Sequence, residues 1–392
     1  MLTHFHFRRR TAHIIHSLAL MAGSVFLTLA LSAQALTAPS ESSVPLNQLQ
    51  YIGSHNSYHA GLAPSEIAVW KRLNLKIYTI IDYSHPALTR QLDDGVRQIE
   101  LDIFGDANGG RYAHPAIAAM AKQMGLPPDG PSAAPAIMAK PGFKVMHMED
   151  IDQRSVCQPL VACLTEVRRW SLAHPTHLPV FILLETKDGP QDDIAIPAGI
   201  SAAGVEPFDS KAFDALDAEI RSVFKPGEYL SPDQVRGDAT TLNAAIRQRG
   251  WPTLATTRGK VIFLLDQRHV GPAYLAGHPS LRGRVAFTNA EPGTDDAAFT
   301  ELNDGPAAQI SALVKDGYLV RTRTDANLVE SSSNDTSRRA AMMASGAQLL
   351  STDFPDHEPA ASGYVVRFPD HQIARCDPLF VHTDCAGTDL SH

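Results

Sequence analysis

Glu100 and Asp102 stand two residues apart in Gln98-Ile99-Glu100-Leu101-Asp102-Ile103, where Ile99, Leu101 and Ile103 fill the alternate positions. In a strand that spacing puts both carboxylates on one face and the apolar residues on the other. Two acids turned into a fold want a cation. The bland alternative, surface acids on an edge strand, is opposed by the apolar neighbours. Glu185 and Lys187 repeat the spacing after Val180-Phe181-Ile182-Leu183-Leu184. Taken alone, they read equally well as a strand-end ion pair. His147 lies in Val145-Met146-His147-Met148, where an imidazole among apolar residues needs a partner or a chemical task. His55 and Asn56 follow a short strand in Gly53-Ser54-His55-Asn56-Ser57-Tyr58. Spacing does not separate His59, His85 or His114 from ordinary structural histidines.

These side chains need elements to carry them. Apolar or β-rich runs occur at 50–54, 96–103, 143–148, 180–186, 261–266, 284–288, 318–323 and 348–353, and helical patterns at 160–173, 211–224, 307–315 and 336–345. The alternation predicts parallel βαβ units, and eight strands close naturally into a (β/α)8 TIM barrel of the α/β class, with room for distortion. A doubly wound open sheet is the alternative, disfavoured because no GxGxxG or Walker loop follows an early strand. Segments 107–142 and 186–208, rich in Ala, Pro and Gly, read as long βα loops that elaborate the mouth. The tail after Pro369 reads as irregular. Almost every expected strand ends in a charged or metal-competent residue: His55 with Asn56, Glu100 with Asp102, His147, Glu185 with Lys187, Asp266, Arg321 with Arg323, and Asp353. In strands buried on both faces such residues are costly unless they converge on a site, and the C-terminal rim of a barrel is where that site belongs.

Arg8 to Arg10, an apolar run from about Ile14 to Leu31 and the triplet Ala33-Gln34-Ala35 read as a secretory signal cleaved after Ala35, with an uncleaved membrane anchor as the alternative. The expected organisation is a leader over 1–35 and one barrel domain over 36–392, secreted or periplasmic. The leader takes three of the 34 basic residues and none of the 42 acidic ones, which leaves a mature net charge of −11. That charge argues against a nucleic-acid partner and against adsorption of the whole surface to an anionic membrane, so any membrane contact must be transient and local. The four cysteines form two close pairs, Cys157 with Cys163 and Cys376 with Cys385. Two local disulfides are the simplest pairing in an oxidising compartment, and the other two connectivities stay open.

Together the motifs resemble the calcium-dependent bacterial phosphoinositide phospholipase C family. The resemblance rests on Ser54-His55-Asn56-Ser57, on Asp82-Tyr83-Ser84-His85-Pro86 running to Gln91-Leu92-Asp93, on Gly95 to Asp102, and on Val145-Met146-His147. It extends through Cys157 to Leu164 and Glu185 and reaches Arg321 and Ser351-Thr352-Asp353. It implies a barrel enzyme that cleaves phosphatidylinositol between glycerol and phosphate with Ca2+ and two histidines. Carried over, Asn56, Glu100, Asp102 and Glu185 hold calcium, His55 and His147 flank the phosphate, and Lys187 and Arg321 face the phosphate or inositol. The implied partner is an inositol phospholipid, met by a monomer without an accessory lipid-binding domain.

Two alternatives compete. A glycerophosphodiester phosphodiesterase or sphingomyelinase D-like barrel also combines two histidines with an ExD pair, but Asn-Ser follows the first histidine here in place of the Arg-Gly usual in glycerophosphodiesterases. A secreted barrel that binds without turnover is the other, opposed by the presence of both histidines and every expected metal ligand.

Overall fold

A computed structural model describes residues 43–189, 199–380, 385 and 388–391. The expected leader over 1–35 and the middle of the 186–208 loop lie outside them.

The strands, in chain order, are β1 (Leu49–Ser54), β2 (Gln98–Phe104), β3 (Lys144–Val145), β4 (Val180–Thr186), β5 (Val261–Leu265), β6 (Ala286–Phe287), β7 (Phe299–Glu301), β8 (Leu319–Arg323), β9 (Leu349–Thr352) and β10 (Ala374–Cys376). Eight of them lie side by side in the order β6, β5, β4, β2, β1, β9, β8, β7. A parallel bridge from Asn289, just beyond β6, to Phe299 of β7 closes the ring. The result is a distorted (β/α)8 barrel. The expected helices are found at Leu160–Ala173, Ser210–Val223, Ala307–Lys315 and Ser337–Ala344.

Three expectations need correction. The run 143–148 is not a barrel strand: only Lys144 and Val145 pair, antiparallel to β2 and off the ring. The eighth barrel strand is β7, three residues long and set among polar residues that hide its pattern. The tail is not irregular throughout, because β10 pairs antiparallel with the first half of β1, Leu49 to Tyr51, whereas β1 meets β2 only at Gly53 opposite Gln98. The tail thus fills a gap that the barrel leaves at the lower end of the β1–β2 seam. Disulfides join Cys157 to Cys163 and Cys376 to Cys385, the second fastening this strap.

Register decides which side chains reach the interior. In a parallel ladder, residues paired side by side share a face. Gln98, Glu100 and Asp102 of β2 pair with Phe181, Leu183 and Glu185 of β4, and Tyr51 and Gly53 of β1 with Leu349 and Ser351 of β9. Arg321 and Arg323 of β8 stand beside Leu349 and Ser351, and Glu301 of β7 stands beside Arg321. Aromatic and aliphatic residues therefore fill the lower interior, where Tyr51 and Phe181 meet with ring centroids 5.2 Å apart. Charged residues succeed them toward the C-terminal ends. Gly53 is needed at this face because a Cβ there would come within 2.2 Å of the Gln98 amide oxygen.

Candidate active site

The strand β1 ends at Ser54 and turns sharply. Asn56 takes φ 47°, a left-handed conformation that asparagine tolerates better than most residues. The turn is pinned to β2, with Ser57 N donating to the Glu100 carbonyl at 3.1 Å and Glu100 N donating to Ser57 Oγ at 2.8 Å. It presents His55 and Asn56 to the mouth.

His55 is held from three sides. Its Nδ1 meets Asp353 Oδ1 at 2.6 Å, and Arg323 reaches its Nε2 at 3.1 Å and Asp353 Oδ2 at 3.0 Å. The His55 carbonyl accepts from His85 Nε2 at 2.9 Å, and His85 Nδ1 meets Glu358 at 2.7 Å. Because Arg323 can only donate, Nε2 is the unprotonated nitrogen and Nδ1–H points at Asp353. Burial, then Arg323, lower the His55 pKa to about 3 against the pull of Asp353. The ring is neutral at physiological pH.

His147 sits on a tight turn: its backbone N donates to the Asp152 carbonyl at 3.2 Å, and the Asp152 side chain returns to His147 Nδ1 at 2.9 Å. Trp70 braces the turn by donating to the Ile151 carbonyl at 3.1 Å. Asp152 is shared with His59, whose Nε2 lies 2.9 Å from Oδ2 while its Nδ1 meets the Tyr83 carbonyl at 2.9 Å. Both His59 nitrogens face acceptors, which requires an imidazolium. Burial opposes that charge, but Asp152 outweighs burial and the His59 pKa is raised. The rings of His147, His59, Tyr83 and His55 run in sequence around the mouth at centroid separations of 5.8, 4.9 and 6.2 Å.

The carboxylates lie beside His55, whose Nε2 is 3.6 Å from Glu100 Oε1. One ligand atom each from Glu100, Asp102 and Glu185 falls within 4.8 Å of the others, and Lys187 Nζ bridges Asp102 Oδ2 at 2.9 Å and Glu185 Oε1 at 2.6 Å. Burial raises the Glu100 pKa to about 7 despite Arg321, and it raises Asp102 well above its ordinary value, with Glu185 adding to the effect. Burial acts the same way on Glu185, but Lys187 outweighs it and brings the pKa down to about 2. Arg321 is itself buried: it pairs with Glu100, lies 3.6 Å from Glu301 and donates to Asn303 at 2.8 Å and Ser351 at 3.0 Å. Its guanidinium is thus committed to the barrel interior, and Lys187 to two acids, rather than projecting freely into the mouth.

Six of the eight singled-out residues, His55, Glu100, Asp102, Glu185, Lys187 and Arg321, belong to this layer. Asn56 and His147 reach it from adjoining turns. In the sequence Arg323 and Asp353 stand out only as strand-end residues, and His59, His85 and Asp152 carry no visible role. Asp152 had a local signal, a carboxylate five residues after His147; the others depend on distant segments.

The model of the Ca2+-dependent phosphoinositide phospholipase C family matches residues 44–378. The chain belongs to that family. It is therefore a phosphodiesterase, a calcium-dependent phosphatidylinositol phospholipase, and the glycerophosphodiesterase and non-catalytic alternatives fall away. Solved structures show the same fold. The calcium-dependent phosphoinositol-specific phospholipase C of a Pseudomonas species is 14% identical with a TM-score of 0.52, covering 86% of this chain and 97% of that one. The calcium-dependent enzyme of Streptomyces antibioticus is 19% identical with a TM-score of 0.50, covering 79% and 95%. No curated protein matches the chain.

The oxygen cluster suits the ion that the family uses. Asn56 Oδ1 is buried without a hydrogen-bond partner. Lys187 is shared by Asp102 and Glu185 while Arg321 pairs with Glu100, so three carboxylates meet two cations, and carboxylate and amide oxygens are hard ligands that favour calcium.

Proposed function

We propose that this phospholipase cleaves phosphatidylinositol between glycerol and phosphate by attack of the inositol 2-hydroxyl, with His55 and His147 exchanging the protons. The observation that supports the reading is a pair of histidine–carboxylate contacts, His55 with Asp353 and His147 with Asp152, both close enough to the Glu100, Asp102 and Glu185 cluster for their charge to act on Glu185.

His55, neutral with Nε2 unprotonated, accepts the hydroxyl proton, and Asp353 holds the resulting imidazolium. His147, oriented through Nδ1 by Asp152, turns Nε2 outward to protonate the leaving glycerol oxygen. Asn56, Glu100, Asp102 and Glu185 are the calcium ligands, and the bound ion supplies neutralisation of the phosphate charge and a lower pKa for a coordinated hydroxyl. Lys187 and Arg321 set the positive charge of the site, Arg321 by fixing Glu100 and Lys187 by compensating Asp102 and Glu185. Phosphorus NMR of phosphatidylinositol turnover is expected to show a cyclic inositol phosphate, because intramolecular closure of a five-membered ring outruns attack by water. The 2-deoxy lipid is expected to remain intact; its efficient cleavage would remove the 2-hydroxyl from the mechanism.

The reading includes export after loss of 1–35, a single catalytic domain over 36–392 and action as a monomer at a membrane surface. Among the described residues no helix is long and apolar enough to cross a membrane. Support for local docking comes from the helices Pro64–Leu73 and Leu75–Ile81. Leu73 and Leu75 are 40% and 59% exposed beside exposed Lys71, Arg72 and Lys76, a basic and apolar corner on an otherwise acidic chain. The second helix leads into Tyr83, whose hydroxyl accepts from Asn56 Nδ2 at 2.7 Å, so the corner adjoins the mouth. Each leucine buried in lipid contributes about 2 kcal/mol. Leu73→Ser with Leu75→Ser should lower turnover on phosphatidylinositol vesicles about tenfold or more, with little change on a monomeric short-chain substrate. Equal losses on both substrates would place the corner in the catalytic fold instead.

A further inference from the structure

A second group of metal-competent side chains lies outside the catalytic mouth. Asp356 and His357 belong to the loop after β9, and His371 belongs to the strap that leads into β10. One ligand atom from each of the three lies within 4.8 Å of the other two. His371 Nδ1 meets Asp356 Oδ2 at 2.6 Å, and the two imidazole rings are 5.6 Å apart, centroid to centroid, and nearly parallel. The other Asp356 oxygen accepts from His357 N at 3.1 Å, which fixes the orientation of the carboxylate. His357 and His371 are exposed, whereas the Asp356 side chain is mostly covered. The arrangement holds its backbone in uncommon conformations, with φ of 71° at His357, 55° at Asp370 and 55° at His371. A small cleft beside it is lined by Ile52, Gly95 and Val96, which places it on the outer wall over the β1–β2 seam.

We propose that Asp356, His357 and His371 form a site for a divalent transition-metal ion of the zinc type, distinct from the calcium cluster. Two imidazoles and one carboxylate with the remaining positions open to water are a donor set for zinc, nickel or cobalt, whereas calcium takes oxygen ligands almost exclusively. The ion replaces the proton shared by His371 and Asp356. It ties the strap to the β9 loop beyond the Pro355–Val366 bridge, closing a loop of more than ten residues, so it acts as a clip on the part of the tail that seals the barrel seam. The same β9 loop carries Asp353 and Glu358, which support His55 directly and through His85.

The test titrates zinc chloride into the full-length mature enzyme by calorimetry in excess calcium, beside His357→Asn, His371→Asn and the double variant. Asparagine keeps the left-handed backbone while removing the imidazole ligand. The wild type should take up an equivalent of zinc that each single variant binds at least tenfold more weakly and the double variant lacks, and zinc should raise the Tm of the wild type alone. Calcium-dependent activity of all three variants should equal that of the wild type, which shows them folded. Absence of saturable zinc binding in the wild type, or the same stoichiometry and affinity in the double variant, overturns the site; the latter result would move zinc to the His59, His147 and Asp152 group, where it would also inhibit.

Discussion

Replacing His55 or His147 by alanine is expected to lower kcat by about 100- to 10,000-fold each, the range for loss of a positioned acid or base. Stability should change little. His55 and His147 retain 18% and 16% side-chain exposure, so truncation opens no deep cavity. Under the proposed mechanism the two losses should also be far from additive, since both groups would move protons in one displacement. Asp353→Asn and Asp152→Asn probe the same machinery one step back. Each removes the acceptor that fixes a histidine Nδ1–H, so activity should fall while substrate binding holds, and the pH profile should lose its wild-type bell shape on the limb that belongs to the affected histidine. Steady-state kinetics on phosphatidylinositol with thermal melts in parallel would decide the matter. A near-normal kcat in either alanine variant takes that histidine out of the mechanism.

Removal of calcium is expected to abolish turnover, and loss of one ligand to weaken it by about 100-fold or more. Asp102→Ala should leave the fold intact, whereas Glu100→Ala leaves the buried Arg321 without its closest partner and should lower the melting temperature as well. In the ion-free protein burial and neighbouring acids already hold both carboxyls above their ordinary pKa, so neither charge is a source of stability there. The variants should need more calcium for half-maximal activity and be partly restored by excess. Asp102→Ala also frees Lys187 from one of its two partners, whereas Glu100→Ala strips Arg321 of its closest one. Unequal melting temperatures should report that difference without altering the shared calcium phenotype. Calcium activation curves identical to wild type in both variants would refute these residues as ligands.

The active-site network also explains why polar residues are tolerated inside a parallel barrel. Arg321 and Glu100 lie 221 positions apart in sequence, and both are almost completely buried. A buried pair of this kind is weak evidence for stability, but removal of one partner leaves an unpaired charge and is strongly destabilising. Arg321 is therefore a poor choice for testing catalysis by deletion. Lys187, with a shorter reach and partial exposure, is better suited to such a test.

The sequence by itself determined the class of fold and singled out most of the polar residues that gather at the C-terminal ends of the strands. Apolar runs of strand length alternating with helical patterns specify a parallel barrel, and period-two spacing aims Glu100 with Asp102, and Arg321 with Arg323, at one interior. It could not distinguish a two-residue antiparallel strand at Lys144–Val145 from a barrel strand, since a short apolar run carries no information about its partner. It could not reveal β7, where Phe299–Glu301 is too short for a period to show, or the wedge of β10, which exists because the β1–β2 seam is open below Gly53. Nor could it assign partners. His55 meets Asp353 across 298 positions and His85 meets Glu358 across 273, pairings that follow from closing a ring of strands and from no local pattern. Tertiary structure alone decided that His59 braces Asp152, that Arg323 sets the His55 tautomer and that Lys187 stands among the carboxylates, because each depends on the register by which neighbouring strands and turns bring distant side chains to one level of the barrel.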